Sequence, residues 1–270
     1  MSIDLDRPYR LESHHIAAYR RDGFIKLKDV FHADELEHYG KEIKRLTIAL
    51  NTQTVPLEER STYDKAFLQV MNLWRESDIV RQFVFGKRLA GLAAALMEVD
   101  GVRLYHDQSL YKEPAGGITP AHADQYYWPL ASDRTITAWV PLQAVPRELG
   151  PLAFYARSQG VEFGRDLGIS DASEQAITAN MEAHGFEIVD EPFALGEVSF
   201  HSGWTFHRAG PNRSAEPRAV MTVIYMDRDM RLKAPENPMQ QNDLERWCPG
   251  ARAGEVIDTP LNPVLYEAAA

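Results

Sequence analysis

The sequence predicts a mainly β protein with N-terminal helices, folded as an antiparallel jelly roll. Two observations carry this prediction. Apolar residues in 1–100 recur mostly at helical spacing, whereas after Gly101 short segments rich in β-branched and aromatic residues follow one another, separated by Gly, Pro, Asp or Asn. Helices first and strands afterwards is the order of a sandwich or barrel backed by helices, not of an alternating parallel sheet.

In chain order, Ser13 is placed to cap a helix over 14–21 that Gly23 ends, FIKL reads as a short strand, and Asp34 is placed to cap a second helix ending near Leu50. Ile79, Val80, Phe83, Val84, Leu89, Leu92, Ala93 and Leu96 predict one long helix over about 78–97. The predicted strands are RLYHDQSLYK, TITAWVPLQAV, GPLAFYA, FEIV, EVSFH and AVMTVIYM, interrupted by one helix over about 173–184. The stretches 52–74 and 159–185 are long for connections, and loops of that length tend to be lids or binding loops. Without an internal repeat or a long linker, the chain reads as one domain over 1–270. Within it, 1–100 is helical support, 101–230 the jelly-roll core and 231–270 a C-terminal extension.

Composition narrows the function classes. Acidic residues outnumber basic ones by 39 to 29, the formal charge is −10, and the basic residues form no patch. Nucleic acid and anionic membrane are therefore not expected as partners. A lone cysteine, Cys248, excludes an internal disulfide and every Cys-rich metal framework, so any metal must be held by His and carboxylate. The acidic N-terminal stretch lacks the basic flank and apolar run of a secretory signal, and no run is long enough to span a membrane, which predicts a cytoplasmic protein. Asn212-Arg213-Ser214 matches a glycosylation sequon but is expected to be a turn.

Dinucleotide, P-loop, zinc-protease, serine-hydrolase and C-x-x-C motifs are all absent from the sequence. Histidine and carboxylate remain. In TPAHADQYYWPL, His122 and Asp124 stand two apart, which on a strand puts both side chains on one face. His32 and Asp34 share the spacing but precede a helical pattern, where Asp34 is better explained as a cap. The segment GEVSFHSGWTFHRAGPNRS offers two candidates for a third ligand, His201 and His207. Two imidazoles and one carboxylate that leave one face of the metal open form the facial triad of non-haem Fe(II) oxygenases. Eleven residues after His207, Arg218 opens the strand RAVMTVIYM, where its fork can clamp a carboxylate such as the far end of 2-oxoglutarate.

Together LYHDQSLYKEP, TPAHADQYYWP, ITAWVPL, GPLAFYARSQG and His207 with Arg218 resemble the phytanoyl-CoA dioxygenase family of Fe(II)/2-oxoglutarate oxygenases, over about 24–227. The resemblance implies a double-stranded β-helix, a cupin-like jelly roll. It implies a metal triad of His122, Asp124 and His207, with Arg218 binding the co-substrate and Gln108, Lys112 and Trp139 supplying further 2-oxoglutarate contacts. The implied reaction consumes O2 and 2-oxoglutarate, gives succinate and CO2, and oxidises an unactivated C–H bond of a small molecule, a secondary metabolite being one expectation. A carboxylate at position 124 speaks against halogenation. Where the family commonly has W-H-Q-D, this chain has Ala121 and Ala123 around His122, which predicts a roomier pocket; Ala209 stands where the family often has Ser.

His201 is then expected to be a packed strand histidine. His106 and Asp107 are expected to be satisfied polar residues near the site, and Tyr126, Tyr127 and Trp128 suit barrel core and substrate wall equally. Two other readings compete: a jelly-roll protein that binds without turnover, and a zinc hydrolase, which lacks a general base placed by motif. Oligomeric state leaves no mark on the sequence.

Overall fold

The computed structural model describes residues 3–268; Met1, Ser2, Ala269 and Ala270, the ends of the predicted one-domain span, lie outside the described residues. Helix α1 (Ser13–Asp22) leads into β1 (Phe24–Leu27), and α2 (Ala33–Leu50), α3 (Thr62–Ala66), β2 (Leu68–Met71), α4 (Asp78–Val84) and α5 (Lys87–Met97) follow. Then come β3 (Gly101–Lys112), β4 (Thr119–His122), β5 (Thr135–Pro141), β6 (Leu152–Tyr155) and α6 (Asp171–Ala183). The chain continues with β7 (Ile188–Val189), β8 (Val198–Ser202), β9 (His207–Ala209), β10 (Arg218–Asp227), α7 (Pro238–Trp247) and β11 (Val264–Glu267).

The strands form two antiparallel sheets. The larger has the order β1-β8-β5-β10-β3-β11, with β2 also paired to β3, and the smaller has the order β4-β9-β6-β7. Sequence neighbours β4 and β5, and again β8 and β9, lie in different sheets, so the chain crosses repeatedly between them, as a double-stranded β-helix requires.

Period-two alternation sorts the faces of the larger sheet. Ile136, Ala138 and Val140 of β5, Val198 and Phe200 of β8, and Met221, Val223 and Tyr225 of β10 face outward. There they join Leu36, Ile43, Leu46, Val80, Phe83 and Leu92 of the helices in one buried cluster. Each such Leu, Ile or Phe contributes about 1.5–3 kcal/mol by leaving water, so the helical layer is the back wall of the barrel. The alternate residues Thr137, Trp139, His201, Arg218 and Thr222 face the lumen.

Several local expectations shift. The N-cap of α1 is Glu12, not Ser13, and that of α2 is His32, not Asp34; in each the third helical residue, His15 or Glu35, accepts from the cap amide. The predicted helix over 78–97 is two helices broken at Phe85–Gly86. The N-terminal segment causes the break, because Asp6 Oδ1 and the Leu5 carbonyl accept from the first amides of α5, Lys87 and Arg88. The expected loop 52–74 contains α3 and the edge strand β2, and the C-terminal extension contains α7. The sequon is a turn, as expected: Asn212 is buried and its Oδ1 accepts from the Ser214 amide and hydroxyl.

One buried ion pair locks the helical layer. Arg88 of α5 donates two hydrogen bonds of 2.9 Å to the Glu35 carboxylate of α2 and a third to the Val30 carbonyl at 2.8 Å. Both side chains are under 5% exposed. Removing one partner leaves a buried, uncompensated charge, which costs about 3–5 kcal/mol. Arg88→Leu is therefore expected to lower the unfolding free energy by roughly that amount in urea titrations, and Arg88→Leu with Glu35→Leu to recover a large part of it.

Candidate metal centre and its cavity

His122 ends β4, and one extended residue, Ala123, turns the chain into a one-turn helix that starts at Asp124. The two side chains still point to one side, although Asp124 lies beyond the strand that the spacing suggested. His207 begins β9, paired directly with His122. The structure brings these three residues together: their ligand atoms lie within 4.8 Å of one another, and all three face the lumen.

Each histidine is fixed by its own strand. His122 Nδ1 donates to the Pro120 carbonyl at 2.7 Å and His207 Nδ1 to the Thr205 carbonyl at 2.9 Å. That selects the tautomer with a bare Nε2 lone pair, and the two Nε2 atoms stand 3.5 and 3.6 Å from Asp124 Oδ1. The other carboxylate oxygen, Oδ2, accepts from Thr137 Oγ1 at 3.0 Å and from His201 Nε2 at 3.2 Å. Asp124 is thus held with one oxygen in the protein's hydrogen-bond network and the other turned to the histidine pair. Burial alone would raise its pKa, but His207, His122 and His201 hold it well below the ordinary carboxylate range. Burial and the neighbouring His122 keep His207 neutral.

His201 is more than the packed strand histidine expected. It lies on the larger sheet with its ring centroid 4.5 Å from that of His207, on the smaller one. Thr137 carried no signal of its own; its role follows only from standing opposite His201 in the register of β5 and β8.

Across the lumen, Arg218 is 1% exposed. Its Nη1 donates to the Gly150 carbonyl, its Nε has no partner, and its guanidinium lies over the Trp139 ring, 5.4 Å from the centroid. Gly150 has a φ of +68°, and a Cβ there would sit 2.2 Å from the Gly210 carbonyl oxygen, so only glycine lets this carbonyl approach. Lys112 is paired with Arg218 in register and fully buried. It does not line the cavity, because its ammonium donates to the Gly117 and Gly210 carbonyls. Burial and the charge of Arg218 push its pKa down to about 6. No acidic side chain pairs with either cation among the described residues, and the Thr119 hydroxyl, also in the cavity wall, lacks a partner. The Arg218 guanidinium with its unpaired Nε and the free Thr119 hydroxyl form a receptor for an anion, with the Lys112 amine behind them. Gln108 and Trp139 line the same wall, in one row with Thr222.

The cavity between these groups measures about 470 Å³. Tyr63, Phe67, Gln69 and Met71 from the stretch 52–74 and Gly168 and Ile169 from 159–185 line it, so both long stretches cover the lumen. Tyr126, Tyr127 and Trp128 are wall residues. The roomier pocket expected from Ala121 and Ala123 does not arise there: both pack away from the cavity against Ile177, Met181 and Phe206. Sequence reasoning missed the α7 side, with Met239, Asn242, Asp243, Arg246 and Trp247 in the wall, because the amphipathic signal of a ten-residue helix is weak. Cys248 is buried, with its thiol pKa raised by burial, which removes it from chemistry.

The sequence pattern of the family described as phytanoyl-CoA dioxygenase (PhyH) matches residues 19–220. A probable alpha-ketoglutarate-dependent hypophosphite dioxygenase of Stutzerimonas stutzeri is 21% identical over 223 residues, covering 78% of this chain and 77% of that relative. Ectoine dioxygenase of Streptomyces avermitilis is 22% identical over 244 residues, covering 82% and 80%. Among solved structures, the epimerase SnoN in complex with Fe3+, alpha ketoglutarate and nogalamycin RO superposes with a TM-score of 0.78 at 25% identity, over 94% of this chain and 98% of that one. With its pattern matched over about three quarters of its length, this chain belongs to the phytanoyl-CoA dioxygenase family.

Proposed function

We propose that this protein is an Fe(II)- and 2-oxoglutarate-dependent dioxygenase that oxidises a C–H bond of a small organic molecule, with His122, Asp124 and His207 as metal ligands and Arg218 as the co-substrate's anchor. One observation carries the reading. A buried arginine without an acidic partner opens into the same cavity as two imidazoles and an ionised carboxylate. That donor set suits Fe(II), and its three ligands leave positions for a bidentate keto acid and O2. A barrel that binds without turnover has no use for that combination.

When bound, iron and 2-oxoglutarate would supply the oxidising chemistry: the keto acid is decarboxylated to succinate and CO2 as O2 is consumed, and the substrate's C–H bond is hydroxylated or otherwise oxidised. The protein's part is positioning. Pro120 and Thr205 aim the imidazoles, and Thr137 and His201 hold Asp124 Oδ2 so that Oδ1 is the oxygen presented to the metal. Arg218 and the Thr119 hydroxyl receive the far carboxylate, and Trp139 and Leu152 exclude water from it. The likeness to SnoN supports a secondary-metabolite substrate. Composition supports a cytoplasmic enzyme of one domain over 1–270 that acts without nucleic acid or membrane, and no helix among the described residues is long and apolar enough to cross one.

Anaerobic titration of the metal-free protein with Fe(II) and 2-oxoglutarate is expected to give a weak visible charge-transfer band, absent in His122→Ala. In Arg218→Ala the 2-oxoglutarate affinity should fall at least about 30-fold, the loss of a buried charge-assisted partner. No band in the wild type overturns the reading. Thr137→Val is expected to weaken Fe(II) binding by about 10–100-fold in competition with a chelator, with the fold unchanged by circular dichroism.

Lys112 gives a pH signature. Its pKa of about 6 leaves it mostly neutral at pH 7, and an anion on the adjacent Arg218 raises that pKa. Binding of 2-oxoglutarate at pH 7 should therefore take up part of a proton, and the uptake should shrink below pH 6, where Lys112 is already charged. Calorimetry in buffers of different ionisation enthalpy measures it, and Lys112→Met should abolish it.

A further inference from the structure

The end of the cavity away from Arg218 carries a second buried charge that the chemistry above does not use. Asp243 of α7 is 8% exposed, lines the cavity and makes no ion pair among the described residues. Only neutral groups bond to it: the Tyr105 hydroxyl donates to Oδ2 at 3.0 Å, and the Trp247 indole also stabilises the carboxylate. A β-bulge in β3 makes this contact: Ile224 pairs with His106 and Tyr225 with Leu104, so Tyr105 is the extra residue and both it and His106 turn to the lumen side. His106 lines the cavity 5.3 Å from the Trp247 ring, its Nδ1 is buried without a partner, and burial lowers its pKa to about 4, so it is neutral.

Helix α7 is held where this matters. Gln240 Nε2 donates at 3.2 Å to the carbonyl of Tyr126, in the same one-turn helix that carries Asp124. Asp243 and Trp247 are thus fixed against the metal side of the cavity, facing Tyr126, Tyr127 and Trp128. A carboxylate buried among aromatic rings without a cation is costly, and the same surroundings suit an ammonium ion, which gains from the carboxylate and from the ring faces together. Arg246, also in the wall, is solvent-exposed and therefore screened, so it competes weakly for Asp243.

Resting on the dioxygenase reading, we infer that the substrate carries a basic amine on a ring-bearing apolar body, with the amine seated against Asp243 and the body between the aromatic walls and the metal. The groups facing Asp243 are Tyr105 from β3, Arg246 and Trp247 from the end of α7, Cys248 just after it, and Tyr127 from the one-turn helix. Of these only Arg246 is charged at neutral pH. Burial raises Asp243 to about 7, so amine binding should strengthen from pH 6 to pH 8.

The test is calorimetric binding of 1-naphthylmethylamine, its neutral isostere 1-naphthylmethanol and the anion 1-naphthoate to the anaerobic Fe(II)/2-oxoglutarate protein at pH 8. Wild type should bind the amine at least tenfold tighter than the alcohol and the anion most weakly, and Asp243→Asn should bring amine and alcohol within threefold. Equal or better binding of the alcohol by wild type, a preference that survives Asp243→Asn, or no binding of any probe overturns the inference. The charge-transfer band, read in the same samples, shows that Asp243→Asn is folded and loaded. A band missing from wild type would instead count against the dioxygenase reading.

Discussion

A carboxylate enclosed in an apolar barrel has to be held by polar neighbours, and Asp124 is held from both sheets at once. His122 and His207 approach Oδ1 from the smaller sheet, while Thr137 and His201 take Oδ2 from the larger. Neither sheet alone could form the site, so the two must face each other in one fixed register. The outward residues of the larger sheet secure that register: Phe200, Ala138 and Val223 are pinned under the helices, and a slip of one residue would turn them into the lumen and its polar set outward. The helical layer and the metal set are therefore two results of the same alternation.

Much of this was legible in the sequence because alternation and spacing are local. The strands, the pair His122 and Asp124, and an arginine eleven residues beyond His207 could each be read from a short window. What could not be read depends on pairing between distant strands. His201 meets Asp124 only because β8 crosses to β9 in the other sheet between positions 202 and 207, and Thr137 matters only through its register with His201. Ala121 and Ala123 suggested a larger pocket, but the alternation that aims His122 inward sends both of them outward, against α6.

Helix boundaries moved for a related reason. The pattern over 78–97 is continuous in hydrophobicity, but its middle amides are claimed by Leu5 and Asp6, more than eighty residues upstream in the chain. No window on the helix itself contains those acceptors. Likewise α7 has only Gln240 and Asp243 fully buried, both polar; their hydrogen bonds tie it to the barrel, and Leu244 and Trp247 pack half-buried beside them, too few to make a strong apolar stripe.

The charges left over in the lumen give the cavity a direction. At one end Arg218 has no acid, at the other Asp243 has only the exposed Arg246 near it, and the His122, Asp124 and His207 set lies in the wall between them. An unpaired buried charge is expensive to keep, and here opposite signs are kept apart although pairing would relieve both. On the reading proposed above, each end suits a ligand of the opposite sign, an anion beside Arg218 and a cation beside Asp243. Two ligands bound this way would meet over the metal side of the cavity, because exchanging their places would set an anion against Asp243 and a cation against Arg218. The fold itself then decides which molecule is consumed as co-substrate and which is presented for oxidation.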